Sequence, residues 1–239
     1  MARDSEEPGA RYVAVEGLIG VGKTTLCQVL ERERGARLFL EPAATNPFLE
    51  PFYADPGRYA FPVQMFYLYN RWLQQTQIRQ GDLFTGLAVS DYLFDKDRLF
   101  AEKTLGTQEL ELYDRFAAAL GEQAPTPDMV LYLEAPIPVI MQRIARRSAP
   151  GEAAISETYL RDLQLRYERL WAGWTGCPVL RVSNQDMNYA DDPAAQRELL
   201  HLVDQALDRG PTRAAPGSAR ADREVQPSLF GTNHRRNPK

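Results

Sequence analysis

The sequence predicts an α/β fold with a parallel sheet, on three observations. Five short apolar runs alternate with helix-like stretches, a glycine-rich loop closes the first run, and carboxylates end the next two. The first run, Tyr12-Val-Ala-Val15, is short and half β-branched and reads as a buried strand. The loop, Gly17-Leu-Ile-Gly-Val-Gly-Lys-Thr24, fits the pattern G-x-x-x-x-G-K-[ST]. Behind it, residues 25–33 carry Leu26, Val29 and Leu30 on one side, as an amphipathic helix would. In that strand–loop–helix context Gly20 and Gly22 let backbone N–H groups crowd around phosphate oxygens. The helix start adds its positive dipole end. Lys23 can neutralise β- and γ-phosphate charge, and Thr24 offers a hydroxyl to Mg²⁺. The alternative is a glycine-rich turn with no ligand. The motif in its context predicts a bound nucleoside triphosphate, with Gly17, Leu18, Ile19, Gly20, Val21, Gly22, Lys23, Thr24 and Thr25 as its cradle.

At 239 residues the chain suits one such domain over about 11–209, with tails. Residues 1–10 are charged and carry Pro and Gly, so a flexible arm is expected there. From 210 to 239 Pro, Gly, Ala and Arg dominate and periodicity is lost, which predicts a disordered tail. A net charge of −4 gives no reason to expect non-specific nucleic-acid binding. The longest apolar runs are far short of a membrane span. The two cysteines, Cys27 and Cys177, lack metal-ligand spacing, and a reducing, cytoplasmic location is the default expectation.

The second run, residues 36–40, ends at Glu41-Pro42, where proline stops the strand. Ligands of open α/β sheets sit beyond the carboxyl ends of the strands, so Glu41 faces the side of the phosphate loop. There it could take a proton from a hydroxyl attacking the γ-phosphate, or be a solvated loop glutamate. Residues 61–80 read as a long helix with Phe61, Met65, Leu68 and Trp72 on one stripe. Gln64 and Arg71 lie on the edge of that stripe, suited either to structural pairing or to reading a base edge. The third run, residues 87–90, ends at Asp91, placed as a Mg²⁺-side carboxylate is in a phosphate-binding fold. The charged, aromatic run after it, up to Arg98, reads mostly as surface. Helix 107–120, strand 129–133, helix 137–147, a helix from Ser156 to about Trp174, strand 179–182 and a helix capped by Asp192 complete the pattern. Arg143 and Arg147 share a face near one helix end, where they could simply offset the dipole. Residues 148–154 break that helix, as a lid would.

Taken together, these residues resemble the bacterial deoxynucleoside kinases, relatives of the animal deoxyguanosine and deoxycytidine kinases. The likeness lies in Val15-Glu-Gly-Leu-Ile-Gly-Val-Gly-Lys-Thr-Thr25, Glu41-Pro42 with Asn46-Pro-Phe-Leu49, Phe52-Tyr53 and Tyr59-Ala-Phe-Pro-Val-Gln64. It continues through Ser90-Asp-Tyr-Leu-Phe-Asp-Lys-Asp-Arg-Leu-Phe-Ala101 and Pro127-Asp-Met-Val-Leu-Tyr-Leu133, and looks most like the deoxyguanosine-kinase branch. The resemblance implies a P-loop nucleotide-kinase fold, a five-stranded parallel sheet in the order 2-3-1-4-5 with an arginine-bearing lid at about 143–155. It implies a homodimer, although some relatives pair unlike subunits. It makes Glu41 the base for the 5′-hydroxyl, Tyr53 and Glu152 partners of the sugar 3′-hydroxyl, and Gln64, Arg71 and Asp97 readers of the base. Arg143 and Arg147 become the lid arginines on the phosphates, with Thr24 and Asp91 serving Mg²⁺.

The reaction so implied is ATP- and Mg²⁺-dependent phosphorylation of a purine deoxyribonucleoside, deoxyguanosine first, with deoxyadenosine or deoxycytidine as alternatives. A weakly active partner subunit of a heterodimer is the alternative of another class. Two departures stand out. Many members have an arginine directly after the strand-three carboxylate, where this chain has Tyr92, leaving Arg98 or Arg146 to serve. The lid holds Ala149 where a further arginine is common. In the tail, Gln226-Pro-Ser-Leu-Phe230 resembles the peptide with which bacterial proteins dock on the DNA sliding clamp, without its usual second-position leucine; such a short match also arises by accident.

Overall fold

The computed structural model describes residues 11–80, 86–148, 152–185 and 188–208. The expectations placed on the arm, on Ala149, and on the tail with its Gln226–Phe230 peptide lie outside the described residues.

Five strands form one parallel sheet: β1 (Arg11–Gly17), β2 (Arg37–Phe39), β3 (Leu87–Ser90), β4 (Met129–Glu134) and β5 (Val179–Ser183), in the order β2-β3-β1-β4-β5. The central β1 pairs in register on both sides, Val13 with Val89 of β3 and with Met129 of β4. β1 and β4, buried on both faces, read as continuous apolar runs, while the edge strands β2 and β5 keep Arg37 and Arg181 exposed. Helices α1 (Lys23–Arg34), α7 (Glu157–Ala172) and α8 (Pro193–Asp208) cover the sheet, with Leu26, Leu30, Leu160, Leu163, Leu199 and Val203 in the main core. Ser156 and Asp192 cap two of them: Ser156 Oγ accepts from Tyr159 N at 3.1 Å, and Asp192 Oδ1 from Ala194 N at 2.8 Å. Among the described residues no helix is long and apolar enough to cross a membrane.

The remaining helices are α2 (Leu49–Ala54), α3 (Pro56–Gln80), α4 (Asp97–Thr104), α5 (Thr107–Gly121) and α6 (Ile137–Arg147). α3 departs from expectation twice. It begins at Pro56 and carries Pro62 inside, at the cost of one helical hydrogen bond. Its buried face is Ala60, Val63, Gln64, Leu68, Arg71 and Gln75, so the expected stripe survives only at Leu68. Phe61 and Met65 are half-buried against a satellite cluster built on Leu68, Ala101 and Tyr113. The helix is turned because its polar residues find partners inside. Gln64 Nε2 donates to Thr104 Oγ1 at 3.1 Å, and Gln75 Nε2 to the hydroxyls of Tyr12 and Tyr92 at 3.1 and 3.3 Å.

The sheet centre also holds a charge. Glu16, one residue before the end of β1, is fully buried. Its carboxylate accepts from Leu93 N at 2.6 Å, Tyr167 Oη at 2.7 Å and Gly17 N at 3.0 Å, and it faces Lys96 Nζ at 3.2 Å. It ties β1 to the loop after β3 and to α7. A buried hydrogen bond to a charged acceptor contributes about 2 kcal/mol. Tyr167→Phe is expected to lower the unfolding free energy by that amount, read by urea denaturation; an unchanged midpoint and slope would contradict the assignment.

Candidate active site

Every element end that matters points to one edge of the sheet. The phosphate loop follows β1, Glu41 follows β2 and Asp91 follows β3. Two cavities lie there, one of about 230 Å³ and one of about 330 Å³, and Gly20, Lys23, Thr24 and Arg147 line both. The loop is shaped by the protein as much as by any ligand. Gly22 has a φ of +111°, and a Cβ there would meet Tyr189 Oη at 2.7 Å; one on Gly20 would meet Ile144 of α6 at 2.6 Å. Lys23 Nζ donates to Gly17 O at 2.8 Å and Leu18 O at 3.1 Å, which fixes it over the loop. Its burial, and then the neighbouring Lys96, lower its pKa.

Asp91 joins the loop to Glu41. Its Oδ2 accepts from Thr24 Oγ1 at 3.0 Å and its Oδ1 from the backbone N–H of Glu41 at 2.7 Å. Burial first, then Glu41, raise its pKa.

Glu41 lines the smaller cavity among cations. Its Oε1 accepts from Arg71 Nε at 3.0 Å and from Arg71 Nη2, and pairs with Lys96 Nζ at 3.1 Å. All three contacts converge on one oxygen. Burial alone pushes the carboxyl up, but Arg71, Lys96 and Lys23 together outweigh it and hold the pKa at about 2. Arg71 Nη1 donates to Asp97 Oδ1, while Asp97 Oδ2 is buried without a partner. Gln64, Tyr53 and Glu152 line the same cavity. Glu152 pairs with Arg147, whose Nε donates at 3.0 Å. Tyr53 is kept protonated by burial and by Glu152.

The larger cavity takes Arg143, Arg146 and Arg147 of α6 together with Asn184 and Tyr189. Arg143 Nη1 donates to Val21 O at 3.0 Å and Asn184 Oδ1 at 3.1 Å, and Tyr189 Oη donates to Gly22 O at 3.1 Å.

The sequence-predicted residues therefore fall into two groups that share the phosphate loop. Glu41, Tyr53, Gln64, Arg71 and Glu152 gather at the smaller cavity and Arg143 at the larger, whereas Asp97 is buried behind Arg71 and does not line either. Arg98 does not reach either: it is exposed and paired with Asp114 and Glu102. Tyr92 is fully buried beneath the Arg71 guanidinium, 5.4 Å from its ring centroid, and so faces no phosphate. Sequence reasoning missed Glu16, Lys96, Asn184 and Tyr189. Asn184 stands just past the carboxyl end of β5, a position that was available as a signal. Lys96 sits in a run of alternating charges that carried none.

This geometry, a parallel sheet with a phosphate loop between two cavities and a cation-held carboxylate beyond β2, defines a P-loop kinase. The sequence matches the family described as deoxynucleoside kinase over residues 13–208, and the chain belongs to that family. It is 35% identical to the deoxyguanosine kinase of Bacillus subtilis over 160 residues, 66% of this chain and 77% of that protein. It is 29% identical to the deoxyadenosine/deoxycytidine kinase of the same organism over 205 residues, 83% of this chain and 92% of that one. A deoxyadenosine kinase from M. mycoides, solved with bound dATP, shares the fold with a TM-score of 0.67 and 23% identity, covering 81% of this chain and 99% of that one. The protein is thus a transferase of the deoxynucleoside kinase type.

The depressed Glu41 pKa is also a stability statement. With about 2 in the folded chain against an ordinary 4.5, the carboxylate contributes stability fully above 4.5 and loses it as pH falls toward 2. Between pH 5 and pH 3 the unfolding free energy is expected to fall by about 2 kcal/mol more in the wild type than in Glu41→Gln. Parallel pH profiles in denaturant titrations would refute it.

Proposed function

We propose that the chain transfers the γ-phosphoryl group of ATP to the 5′-hydroxyl of a purine deoxyribonucleoside, deoxyguanosine first, for deoxynucleotide salvage in the cytoplasm. The observation that carries this reading is Glu41. Its Oε1 is anchored by Arg71 and Lys96 in the cavity that meets the phosphate loop at Lys23 and Thr24, which leaves Oε2 to take the hydroxyl proton. The nucleoside occupies the smaller cavity and the triphosphate the larger, so acceptor and donor meet at the loop. The new O–P bond forms as the bond from Pγ to the bridging oxygen breaks, and the diphosphate leaves. Such a transfer asks mainly for positioning and charge stabilisation. The backbone of Gly20 to Thr24, with Lys23, holds the β- and γ-phosphates; Arg143 and Arg147 of α6 cover them.

Mg²⁺ fits the residues present. Thr24 Oγ1 and Asp91 Oδ2 lie 3.0 Å apart beside the loop, a hydroxyl and a carboxylate of the kind that hold this ion when phosphate oxygens and water complete it. When bound it would neutralise charge on the β- and γ-oxygens.

Base reading falls to Gln64, Arg71 and Asp97, and the sugar 3′-hydroxyl to Tyr53 and Glu152. Asp97 acts on the base through Arg71, whose Nη1 it holds from behind the cavity wall. The deoxyguanosine kinase relative favours guanine; the match to a deoxyadenosine/deoxycytidine kinase over more of the chain supports the second reading. A homodimer is the proposed assembly, supported by exposed apolar side chains on adjacent helices, Tyr69 and Leu73 of α3 with Leu112 and Phe116 of α5.

The test is a phosphoryl-transfer assay of the purified chain with ATP and Mg²⁺ against each of the four common deoxyribonucleosides. Deoxyguanosine is expected to turn over fastest, and Glu41→Gln to lower kcat by about 10²–10⁴-fold. Faster turnover of another nucleoside would keep the mechanism and change the substrate. No turnover of any would overturn the reading in favour of a partner subunit.

A further inference from the structure

Lys96 is the second cation on Glu41, and neither the composition of its segment nor any helical period singles it out. It lies in the short 3₁₀ turn Phe94–Lys96 just before α4, with only 3% of its side chain exposed. Its Nζ reaches two carboxylates from two different strand ends, Glu16 Oε1 at 3.2 Å and Glu41 Oε1 at 3.1 Å, and it lines the smaller cavity. Tyr92, directly after Asp91, is turned under Arg71 and sealed from both cavities. Arg98 points outward. Lys96 is the cation that the segment after β3 delivers to the reacting edge.

We infer that Lys96 is a positioning residue for the transfer: its ammonium pins Glu41 Oε1 to the buried Glu16 of the central strand and so aims Oε2 at the acceptor hydroxyl. The inference rests on the proposed role of Glu41 as the base. Arg71 alone cannot supply the same constraint. It approaches Glu41 from α3 and is shared with Asp97, so Glu41 held only by Arg71 would follow the position of that helix. Lys96 adds a second direction, and it refers Glu41 to the strand that carries the phosphate loop. The geometry of attack depends on the distance between those two groups, and a misplacement of about 1 Å costs on the order of a hundredfold in rate.

A plainer role is possible for the same residue, namely to neutralise Glu16, and the two roles separate by experiment. Removing Lys96 alone strands two carboxylates and risks unfolding. The informative comparison is therefore Glu16→Gln against Glu16→Gln/Lys96→Met, since the double variant leaves Glu16 uncharged. Each is checked for folding by thermal melting and assayed with ATP, Mg²⁺ and the preferred deoxyribonucleoside. The double variant is expected to lose about 10–100-fold in kcat relative to Glu16→Gln, with little change in either KM. In a Glu16→Gln/Glu41→Gln background the addition of Lys96→Met is expected to cost little more, because Lys96 then acts only through Glu41. A double variant as fast as Glu16→Gln would overturn the inference and leave Lys96 as a counter-charge. So would a full, additive loss in the Glu16→Gln/Glu41→Gln background. Wild type inactive on every deoxyribonucleoside would overturn the functional reading itself, and this inference with it. Activity lost in Glu41→Gln but kept without Lys96 would remove the inference alone.

Discussion

The structure depends on one buried balance of charge. Three carboxylates, Glu16, Glu41 and Asp97, meet two cations, Lys96 and Arg71, in an interior where none of them could remain charged alone. Each member comes from a different element: β1, the loop after β2, α4, the turn before it, and α3. The sheet order makes the meeting possible, because β1 lies between β3 and β4 and β3 lies next to β2. The loops after β1, β2 and β3 therefore open side by side. Buried ion pairs contribute little net stability compared with an apolar core of the same volume, so the arrangement is better understood as setting geometry than as holding the fold together.

The phosphate loop is held by a separate and mostly uncharged set of contacts. Asn184 and Tyr189, beyond β5, bond to the carbonyls of Val21 and Gly22, and Arg143 braces Val21 from α6. The glycines of the loop face neighbours at distances a Cβ would violate: Gly22 the Tyr189 hydroxyl, Gly20 the side chain of Ile144, and Gly17 the carbonyl of Leu133. Their absence of side chains thus serves internal packing before it serves phosphate, and the loop enters the reaction already shaped. Arg147 bridges the two regions, since it lines both cavities and pairs with Glu152 in the smaller one.

How much of this was legible follows from which signals the chain carries. Short apolar runs announce the strands, and a carboxylate just past the end of such a run is placed by the fold, so the positions of Glu41 and Asp91 could be read from the sequence. α3 could not be read correctly from hydrophobic periodicity. Phe61, Met65, Leu68 and Trp72 give a convincing stripe, yet the face turned inward carries Gln64, Arg71 and Gln75. Periodicity scores apolar residues and is blind to polar ones whose partners arrive from distant segments, here Thr104, Glu41, Asp97 and two tyrosines. Lys96 failed for the same reason. A lysine between two aspartates in a polar run looks solvated until the fold brings Glu16 and Glu41 to it. The resemblance supplied Asp97, Tyr53 and Glu152, which no local pattern would have chosen.

A pKa of about 2 makes Glu41 a weak base, and the cluster explains why this is compatible with the chemistry proposed for it. In a loose transfer the attacking hydroxyl keeps its proton until late, so the carboxylate has to be aimed more than it has to be basic. What matters more is the cost of neutralising it. If Glu41 takes a proton, Lys96 still faces Glu16 and Arg71 still faces Asp97, so no cation is stranded. On that count any one of the three carboxylates could be discharged without leaving an unpaired cation, and Glu41 is the one that lines the cavity. Glu16, at 3.2 Å from Lys96, and Asp97 beside Arg71 would keep both cations paired if Glu41 takes a proton as proposed, while Lys96 and Arg71 keep it ionised beforehand. That tolerance follows from three acids sharing two bases, and it would be lost if either Glu16 or Asp97 were neutral.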